Sequence, residues 1–461
     1  MEKYDITVIG AGSGGLVAAL TAKRRGARVA LVEKNKIGGE CTHSGCVPSK
    51  TLISSARLLH SLKKFTTHGL PNVHIPSDFD FADVMEHVDD VVQGVYNNEK
   101  PSHFQELGID VYIDAAGAKF IDQNHISIGN AVIESQYFVI STGSSPRMAP
   151  HEGSEMLKFL NNENFWDLRE QPKSIVFLGG GVISVELGQA LARFGTEVTI
   201  VHRHPTILNT LDPEVAALAT KALEEDGVRI ITNSEITNCV QNSDGQIKLV
   251  LNQNGEAKDL FAEQIFVALG REPNIQGLEL EKAGVEFSAY GIKTNAYLQT
   301  TASNIYACGD VTTPAKFTHI AAYQAEICID NILGEDKREN DLSIVPWAIF
   351  MEPEVGHVGL SEAQARKKFV KVNVARVGTD SIDRFITESE TEGFLKIIMD
   401  ANDVVVGAEA IGQHAGEWIQ FFTVTIKQKI TIQDLAETIF IYPTFSEIVK
   451  KGITRYLRSK S

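Results

Sequence analysis

The sequence has few cysteines for its length and no excess of basic residues. Five cysteines in 461 residues are too few for the disulfide scaffold of a small secreted protein. A formal net charge of −16 argues against broad electrostatic binding to nucleic acid or to an anionic membrane surface. We therefore expect a cytoplasmic protein with no nucleic-acid partner and no membrane partner.

Long apolar runs, charge blocks, low-complexity segments and short-period repeats are absent as well. The uncharged stretch from residue 6 to residue 22 follows Glu2, Lys3 and Asp5 instead of a basic start, and glycines interrupt it. It is shorter than the roughly 20 apolar residues that a membrane span requires, so a strand, a tight turn and a helix are the better interpretation. With 43% hydrophobic and 22% charged residues, the chain has the balance of a globular protein of about three domains.

Two distant segments share the pattern of a strand, a glycine-rich turn, a helix and a second strand. The first has a strand at residues 4–9, a helix to about residue 25 and a strand at residues 28–32. The second has a strand at residues 174–178, a helix to about residue 194 and a strand at residues 197–201. Such βαβ units predict parallel sheets and two nucleotide-binding domains.

The remaining pattern predicts how these units are arranged along the chain. Further strands are expected at residues 137–140, 265–269 and 305–307, and alternating segments near 394–399 and 404–408 indicate an antiparallel sheet followed by helices. We predict an α/β fold with two Rossmann-like domains and a C-terminal α+β dimerisation domain. The predicted parts are residues 1–150 (first nucleotide domain), 151–270 (second nucleotide domain), 271–340 (return to the first, central part) and 341–461 (dimerisation).

The first glycine turn has the features of a dinucleotide site. A pyrophosphate must approach the backbone at a helix N-terminus, where free N–H groups and the helix dipole favour anions. Gly10 permits the turn, Gly12 lets the phosphates approach, and Gly15 lets helix and strand pack closely. Glu33 ends the next strand, where an acid is expected to bind ribose hydroxyls.

The second turn departs from this pattern at two places. Ser184 replaces the third glycine but is small enough for close packing. The end of the following strand carries His202, Arg203 and His204 in place of an acid. Because Arg203 could pair with a 2′-phosphate, we favour NADPH over NADH; the alternative is that these three residues form a solvated loop.

Residues 38–50 (GGECTHSGCVPSK) contain two cysteines five positions apart. On a regular helix such residues lie roughly 8–9 Å apart, whereas a disulfide needs Cα atoms within about 7 Å. A Cys41–Cys46 bridge therefore requires a distorted turn, for which Gly45 supplies freedom, and such a bridge would be easy to reduce. At a helix start, the dipole would stabilise a Cys46 thiolate. The alternative is two buried cysteines that never pair.

Together and in this order, the motifs resemble those of the pyridine nucleotide–disulfide oxidoreductases with a Cys-x4-Cys centre. That group contains dihydrolipoamide dehydrogenase, glutathione reductase and mercuric reductase. Nearly the whole chain is covered, and the motifs are the first glycine turn, residues 41–50, residues 141–143 (STG), the second turn with Glu186, residues 268–274 (ALGREPN), residues 305–310 (IYACGD) and residues 442–447 (YPTFSE).

The resemblance implies an NAD(P)H-dependent flavoprotein that is a homodimer with an active site shared across its interface. Cys46 would face the flavin and form a charge-transfer pair with it, and Cys41 would attack the acceptor. Lys50 would lie near flavin N5, paired with Glu186, and its positive charge would stabilise electron density on the reduced ring. Glu33 and Asp310 would bind the ribose and the ribityl chain of FAD.

The resemblance also implies the remaining residues of both cofactor sites and gives no metal site. The FAD site would comprise Gly10, Gly12, Ser13, Gly14, Gly15, Glu33, Lys34, Gly39, Glu40, Lys50, Ala118, Thr142, Gly143, Asp310 and Thr318. The NADPH or NADH site would comprise Gly179, Gly181, Val182, Ile183, Glu186, His202, Arg203 and Gly270.

The chain departs from the group before Pro443. Dihydrolipoamide and glutathione reductases carry a catalytic histidine there, and this chain carries Tyr442, whose phenol with an ordinary pKa near 10 is a poor base near pH 7. Mercuric reductases have tyrosine at this position but also a C-terminal cysteine pair, and no cysteine follows Cys328 here. His43 is a substitute proton carrier or, alternatively, a loop histidine bonded to the backbone. Glu447 would be catalytic or a helix N-terminal acid.

We therefore expect electrons to pass from NAD(P)H through FAD to a Cys41–Cys46 disulfide. From there they would pass to a disulfide, a metal ion or another electrophile, small molecule or protein, in a mercuric-reductase-like enzyme without the C-terminal cysteine pair. One alternative is a dihydrolipoamide dehydrogenase with Tyr442 in place of the usual histidine. A second is a quinone or dye reductase that uses the flavin directly, and a third is a redox-sensing binding protein.

Overall fold

The computed structural model describes residues 2–73, 79–148, 157–242, 245–312 and 315–460. The predicted boundary between residues 150 and 151 lies outside them. Within these ranges the chain is α/β, with parallel sheets in its first two thirds and an antiparallel sheet in its last third. The predicted fold class is confirmed.

The first unit is built on a sheet whose central strands are buried on both faces. Strand β1 pairs in parallel with β2 and β6, and β2 pairs in parallel with β3. Its helices are α1 (Ser13–Arg24), α2 (Gly39–His43), α3 (Cys46–Ser61), α4 (Phe81–Tyr96) and α5 (Pro101–Glu106). Its strands are β1 (Glu2–Ile9), β2 (Val29–Glu33), β3 (Asp110–Ile113), β4 (Lys119–Phe120), β5 (His125–Ile128), β6 (Ala131–Ile140) and the separate β7 (Ser144–Pro146).

The second unit repeats the same βαβ arrangement. A parallel sheet has the strand order β10-β9-β8-β14, and β11, β12 and β13 form an antiparallel sheet beside it. The helices are α6 (Val182–Phe194) and α7 (Pro213–Glu225). The strands are β8 (Ser174–Leu178), β9 (Glu197–Val201), β10 (Arg229–Ile231), β11 (Ser234–Gln241), β12 (Ile247–Gln253), β13 (Glu256–Ala262) and β14 (Gln264–Val267).

The chain then returns to the first sheet. Strand β15 pairs with β7, β16 and β17 form a hairpin, and β18 extends the first sheet by pairing in parallel with β6. Helix α8 begins directly beside the carboxyl end of that sheet. These elements are β15 (Arg271–Pro273), β16 (Phe287–Ser288), β17 (Gly291–Ile292), β18 (Ile305–Ala307) and α8 (Thr318–Leu333).

The C-terminal unit is an antiparallel sheet with the order β19-β20-β23-β22-β21, covered by helices. Two helices between its strands, α9 and α10, have no counterpart in the sequence prediction, because each is short. The strands are β19 (Trp347–Ile349), β20 (Glu354–Gly359), β21 (Asn373–Gly378), β22 (Phe394–Met399) and β23 (Val405–Gly412). The helices are α9 (Glu362–Lys368), α10 (Asp383–Thr387), α11 (Ala415–Trp418), α12 (Phe421–Lys427), α13 (Ile432–Ala436) and α14 (Glu447–Lys460).

Two places in this fold are suited to bind a ligand. The carboxyl ends of β1 and β8 each run into a glycine turn and a helix N-terminus, which is where open parallel sheets bind their ligands. None of the helices in the described ranges combines the length and the apolar character needed to cross a bilayer.

Candidate active site

The first glycine turn is shaped by contacts that only glycine allows. Gly10 has a φ of +98°, and a Cβ atom built on it would lie 2.4 Å from the carbonyl oxygen of Ser141. Gly12 caps α1 without any side-chain hydrogen bond, and the first turn of the helix has no acidic residue. The amide groups at the start of α1 are therefore free to bind an anion.

Glu33, at the end of β2, closes this turn with its carboxylate. One oxygen accepts the amide N–H of Ala11 at 2.7 Å, and the other accepts the amides of Lys34 and Asn35 at 2.8 Å. Three backbone donors thus fix the acid at the position where a ribose would lie. The free helix N-terminus and the fixed carboxylate together fit the pyrophosphate and ribose of FAD.

Other predicted FAD residues lie around the same end of the sheet. The hydroxyl of Thr142 donates to the carbonyl of Asn274 at 2.7 Å, and Asp310 accepts the Ser144 hydroxyl at 2.7 Å. Gly143 adjoins open space, and Gly39 lies against Gly12. Lys34 follows Glu33, Ala118 is buried in the core of the first sheet, and Ser13, Gly14 and Gly15 begin α1.

The second glycine turn has the same shape but a different closing side chain. Gly179 repeats the positive φ of Gly10, and Gly181 caps α6 with neither a side-chain hydrogen bond nor an acid in the first turn. The amide of Gly180 donates to Nδ1 of His202 at 3.0 Å. An imidazole thus occupies the place of Glu33, and burial lowers its pKa.

The surroundings of His202 are basic. The guanidinium Nε of Arg203 lies 3.3 Å from Nε2 of His204, and the rings of the two histidines are 5.2 Å apart. Gly270 adjoins open space, while Val182 and Ile183 form the first turn of α6. The second turn therefore presents the guanidinium of Arg203, where the first presents a carboxylate.

The redox loop, which we define as residues 39–46, is bent as the cysteine spacing requires. Helix α2 ends at His43 and α3 begins at Cys46, so the two cysteines do not share a regular helix. Gly45 permits the bend because a Cβ atom there would lie 2.9 Å from the carbonyl oxygen of Glu40. Both cysteines are thiols in this structure.

The two thiols differ in acidity. A hydrogen bond from Cys41 stabilises the Cys46 thiolate and, with the Lys50 charge, lowers the pKa of Cys46 to about 6. The same hydrogen bond, together with burial, raises the pKa of Cys41. Sγ of Cys46 also lies 3.5 Å from the hydroxyl of Thr318, the first residue of α8. Near neutral pH the pair thus holds one thiolate and one thiol.

Lys50 and Glu186 form an ion pair between α3 and α6. Nζ of Lys50 lies 2.7 Å from Oε2 of Glu186, which is only 4% exposed. The other oxygen of Glu186 accepts the amide of Phe350 at 2.8 Å, and the ring of Phe350 lies 4.8 Å from the lysine ammonium. Sequence analysis missed Phe350, because it lies in the C-terminal unit, outside the motifs quoted for the family.

Glu40, predicted at the FAD site, is hydrogen-bonded to protein groups. Both of its oxygens are hydrogen-bonded to the guanidinium of Arg271, and Oε1 also accepts the amide of Asn162 at 2.8 Å. Against the Arg271 charge, burial raises the pKa of Glu40 to about 7. Arg271 lies inside the quoted ALGREPN motif, but no sequence signal pairs it with Glu40.

The predicted residues near the C-terminus lie apart from the glycine turns. The hydroxyl of Tyr442 donates to Oδ2 of Asp383 at 2.9 Å, which raises the pKa of the phenol, and its side chain is 65% exposed. Glu447 begins α14, and one of its oxygens is buried without a hydrogen-bond partner. Nε2 of His43 lies 2.7 Å from the carbonyl oxygen of Ile37, as expected for a loop histidine bonded to the backbone.

Metal ligands do not cluster in the part of the chain that the structure describes. No group of three or more histidine, cysteine, aspartate or glutamate residues there could hold a metal ion. Cys239, Cys308 and Cys328 are buried, as predicted for small core residues.

Comparison with known proteins identifies the family. The model of the pyridine nucleotide-disulphide oxidoreductases matches residues 4–325, and that of their dimerisation domain matches residues 345–453. The chain is 33% identical over 452 residues to the mercuric reductase of Lysinibacillus sphaericus, covering 97% of this chain and 82% of that one. It is 32% identical to the dihydrolipoyl dehydrogenase of Geobacillus stearothermophilus, covering 97% and 95%.

A solved structure of a known protein has the same fold. The HOCl-induced flavoprotein disulfide reductase RclA of Escherichia coli, solved as a Cu(II) complex, superposes with a TM-score of 0.87 at 28% identity, covering 99% of this chain and 100% of that one.

These relatives are enzymes, so the predictions of an oxidoreductase and of FAD with NAD(P)H as cofactors are confirmed. The chain is a flavoprotein disulfide oxidoreductase of the mercuric reductase, lipoamide dehydrogenase and RclA type. It belongs to the pyridine nucleotide-disulphide oxidoreductase family.

Proposed function

We propose that this enzyme passes electrons from NAD(P)H to a metal ion or another electrophile that needs no proton from the protein. The observation that carries the proposal is the hydrogen bond from Tyr442 to Asp383. A phenol whose proton is held by a carboxylate and whose pKa is raised is a poor base and a poor acid near pH 7. An acceptor that releases a thiolate needs such a proton, whereas a soft metal ion does not.

The names of the relatives support the same class of acceptor. The matches include mercuric reductases, and RclA has been solved with Cu(II). Thiolates bind such soft or borderline ions well. We infer that Hg²⁺ or Cu²⁺ is reduced here.

The different pKa values of the two thiols support the different roles proposed for Cys46 and Cys41. FAD held at the first glycine turn and Glu33 would supply hydride acceptance from the nicotinamide and the electron pair that opens the Cys41–Cys46 disulfide. Opening the bond takes two electrons and one proton and leaves a Cys46 thiolate and a Cys41 thiol. The lowered pKa of Cys46 and the raised pKa of Cys41 suit this outcome. When the acceptor takes the electrons, the disulfide re-forms and the proton is released.

The ion pair of Lys50 supports its proposed place beside the flavin. Glu186 holds the ammonium from one side, and the Phe350 ring limits its movement from the other. A cation fixed in this way stabilises negative charge on the reduced ring without reorganisation. Asp310, Thr318 and the other residues predicted for FAD remain proposals of the same kind.

The basic triplet at the second turn supports NADPH as the preferred donor. Arg203 stands beside His202, where a carboxylate would repel a 2′-phosphate and a guanidinium attracts it. We further propose a homodimer formed through the dimerisation domain, with Tyr442 and Glu447 completing the partner's site. The proposal also includes a cytoplasmic location and the domain limits 1–150, 151–270, 271–340 and 341–461.

An acceptor panel tests the proposed function. Purified holoenzyme is mixed with NADPH or NADH and, separately, with Hg²⁺, Cu²⁺, oxidised glutathione, lipoamide and a quinone, and nicotinamide oxidation is followed. We expect turnover with metal ions that falls at least about tenfold in Cys41→Ser, and near-background rates with lipoamide and glutathione.

Two results would overturn this assignment. Fast reduction of lipoamide by the wild type would favour the dihydrolipoamide dehydrogenase alternative, and quinone reduction that survives Cys41→Ser at full rate would favour direct delivery from the flavin. Tyr442→His sharpens the test: disulfide turnover near pH 7 should increase, because an imidazole with an ordinary pKa near 6.5 can move the proton.

A further inference from the structure

Glu40 is the residue directly before Cys41, and it is bound more firmly than its place in a loop requires. Its carboxylate makes a two-pronged pair with Arg271 and accepts the Asn162 amide. Its own carbonyl oxygen accepts the amide of Ser44, within the same loop, at 2.9 Å. The redox loop is therefore held by the main chain of Glu40, which is bonded within the loop, and by its side chain, which is bonded to residues outside the loop.

Arg271 is held just as completely. Its Nε donates to the hydroxyl of Ser144 and its Nη2 to the carbonyl of Ser144, both at 2.7 Å. Nη1 donates to Glu40 at 2.7 Å and to Asn162 at 3.5 Å, and Nη2 reaches the second oxygen of Glu40. All five N–H donors of a guanidinium are thus used, so Arg271 is a rigid partner.

The partners of Glu40 lie where the chain crosses between the two glycine-turn units. Asn162 lies between β7 and β8, and Arg271 follows β14. Ser144 continues the chain of hydrogen bonds to Asp310. The redox loop is therefore tied to both crossings and to the acid proposed for the ribityl chain of FAD.

Glu40 also acts on the cysteine pair through its charge. The charge of a thiolate at Cys46 raises the pKa of the Glu40 carboxyl, and because such an interaction is reciprocal, an ionised Glu40 disfavours that thiolate. Because protein surroundings screen charges far less than bulk water, this repulsion persists across the loop. Glu40 therefore opposes the form of the pair that carries the negative charge, which is the reduced form.

We propose that Glu40 is a positioning residue that fixes the redox loop through Arg271, and that its charge makes the Cys41–Cys46 disulfide harder to reduce. The inference rests on the proposed function, because it concerns the same cysteine pair. In turnover, the two electrons and one proton of a hydride from NAD(P)H reach the S–S bond by way of FAD, break it and leave one thiolate and one thiol. Glu40 enters this balance only through the stability of the thiolate.

The test compares wild type with Glu40→Gln, which keeps the shape and removes the charge. Holoenzymes are equilibrated without oxygen in mixtures of reduced and oxidised dithiothreitol. They are then quenched in acid and alkylated, and mass spectrometry counts the thiols at positions 41 and 46. At pH 8 we expect the equilibrium constant for reduction to increase three- to tenfold, which is about 15–30 mV. At pH 6 wild-type Glu40 is mostly protonated, so the difference should shrink below twofold.

A role limited to holding the loop would give the same difference at both pH values, and no change at pH 8 would remove the electrostatic effect; either result overturns the proposal. Glu163→Gln is the matched control, since Glu163 is exposed beside Asn162, and it should shift nothing. If Glu40→Gln does not fold, Glu40→Asp replaces it and should stay within twofold of wild type at both pH values. A larger change at pH 8 than at pH 6 would contradict the proposal.

Thiol counting needs no acceptor, so its result is separate from that of the acceptor panel. An enzyme that reduces none of the metal ions would disprove the proposed function and leave this measurement valid. A wild type in which the two thiols never join would disprove both.

Discussion

The two glycine turns have the same backbone and opposite chemistry. In the first, the Glu33 carboxylate accepts three amides and closes the turn. In the second, a neutral imidazole of His202 accepts one amide, and a guanidinium stands next to it. The turn itself needs only an acceptor, so the acceptor can differ between the two turns. In the proposed assignment of FAD to the first turn and NADPH to the second, this position at the end of the second strand is what distinguishes the two cofactor sites.

Removing the carboxylate acceptor from the first turn should have the largest effect, which is a loss of bound flavin. Glu33→Ala leaves three backbone donors without a protein partner and removes the proposed ribose contact. Since hydrogen bonds to a charged group are worth about 1.5–3 kcal/mol each, we expect bound flavin per chain to fall by about tenfold or more. Flavin absorbance after gel filtration measures it. Glu134→Ala, which breaks only a surface pair with Lys3, should keep its flavin, and full retention in Glu33→Ala would contradict the role of Glu33.

Removing the cation from the second turn should have a smaller and more selective effect. Arg203→Ala should weaken NADP⁺ binding by about tenfold, the value of one charged contact of about 1.4 kcal/mol, and should change NAD⁺ binding less than twofold. Calorimetric titration of the oxidised holoenzyme with each nucleotide measures both constants. Arg229→Ala, at the start of β10, is the control. Equal weakening of both nucleotides would show that Arg203 does not recognise a 2′-phosphate.

The smallest expected effect is on the pH dependence of stability, through the imidazole of His202. Burial lowers the pKa of His202, so the unfolded chain binds its proton more readily than the folded chain. Stability contributed by the neutral imidazole is therefore present above the ordinary pKa near 6.5 and is lost as pH falls through the lowered value. Asn in place of His202 accepts the same amide without titrating.

Thermal melts between pH 5 and pH 7.5 test this point. The melting temperature of wild type should fall by about 1–3 °C more than that of His202→Asn over the acidic half of the range. The first turn offers the contrast, because its acceptor is a carboxylate and not an imidazole. Identical pH profiles for wild type and His202→Asn would mean that the imidazole takes up its proton at the same pH in the folded and in the unfolded chain.

The sequence predicted what depends on local spacing. Gly10, Gly12 and Glu33 lie within 24 residues of each other, and their pattern determines both the turn and its acceptor. The bend between Cys41 and Cys46 followed from helix geometry, because five residues on a regular helix lie too far apart for a disulfide. The family resemblance added the pairing of Lys50 with Glu186, which the structure places 2.7 Å apart.

Pairs that form only in the folded chain could not be predicted in this way. Glu40 and Arg271 are 231 positions apart, and neither periodicity nor spacing relates them. The amide of Phe350, which follows β19, meets Glu186 of α6 only once the chain has its tertiary fold. Likewise, the replacement of histidine by Tyr442 was visible in the sequence, whereas its bond to Asp383 was not.

The contacts of Glu186 have a consequence for how such a protein can be divided or inherited. One of its oxygens meets an ammonium from the first third of the polypeptide, and the other meets an amide from the last third. An excised fragment would keep a nucleotide pocket but lose one arm of this junction. The three segments that meet at this one carboxylate therefore have to be kept together for both contacts to form.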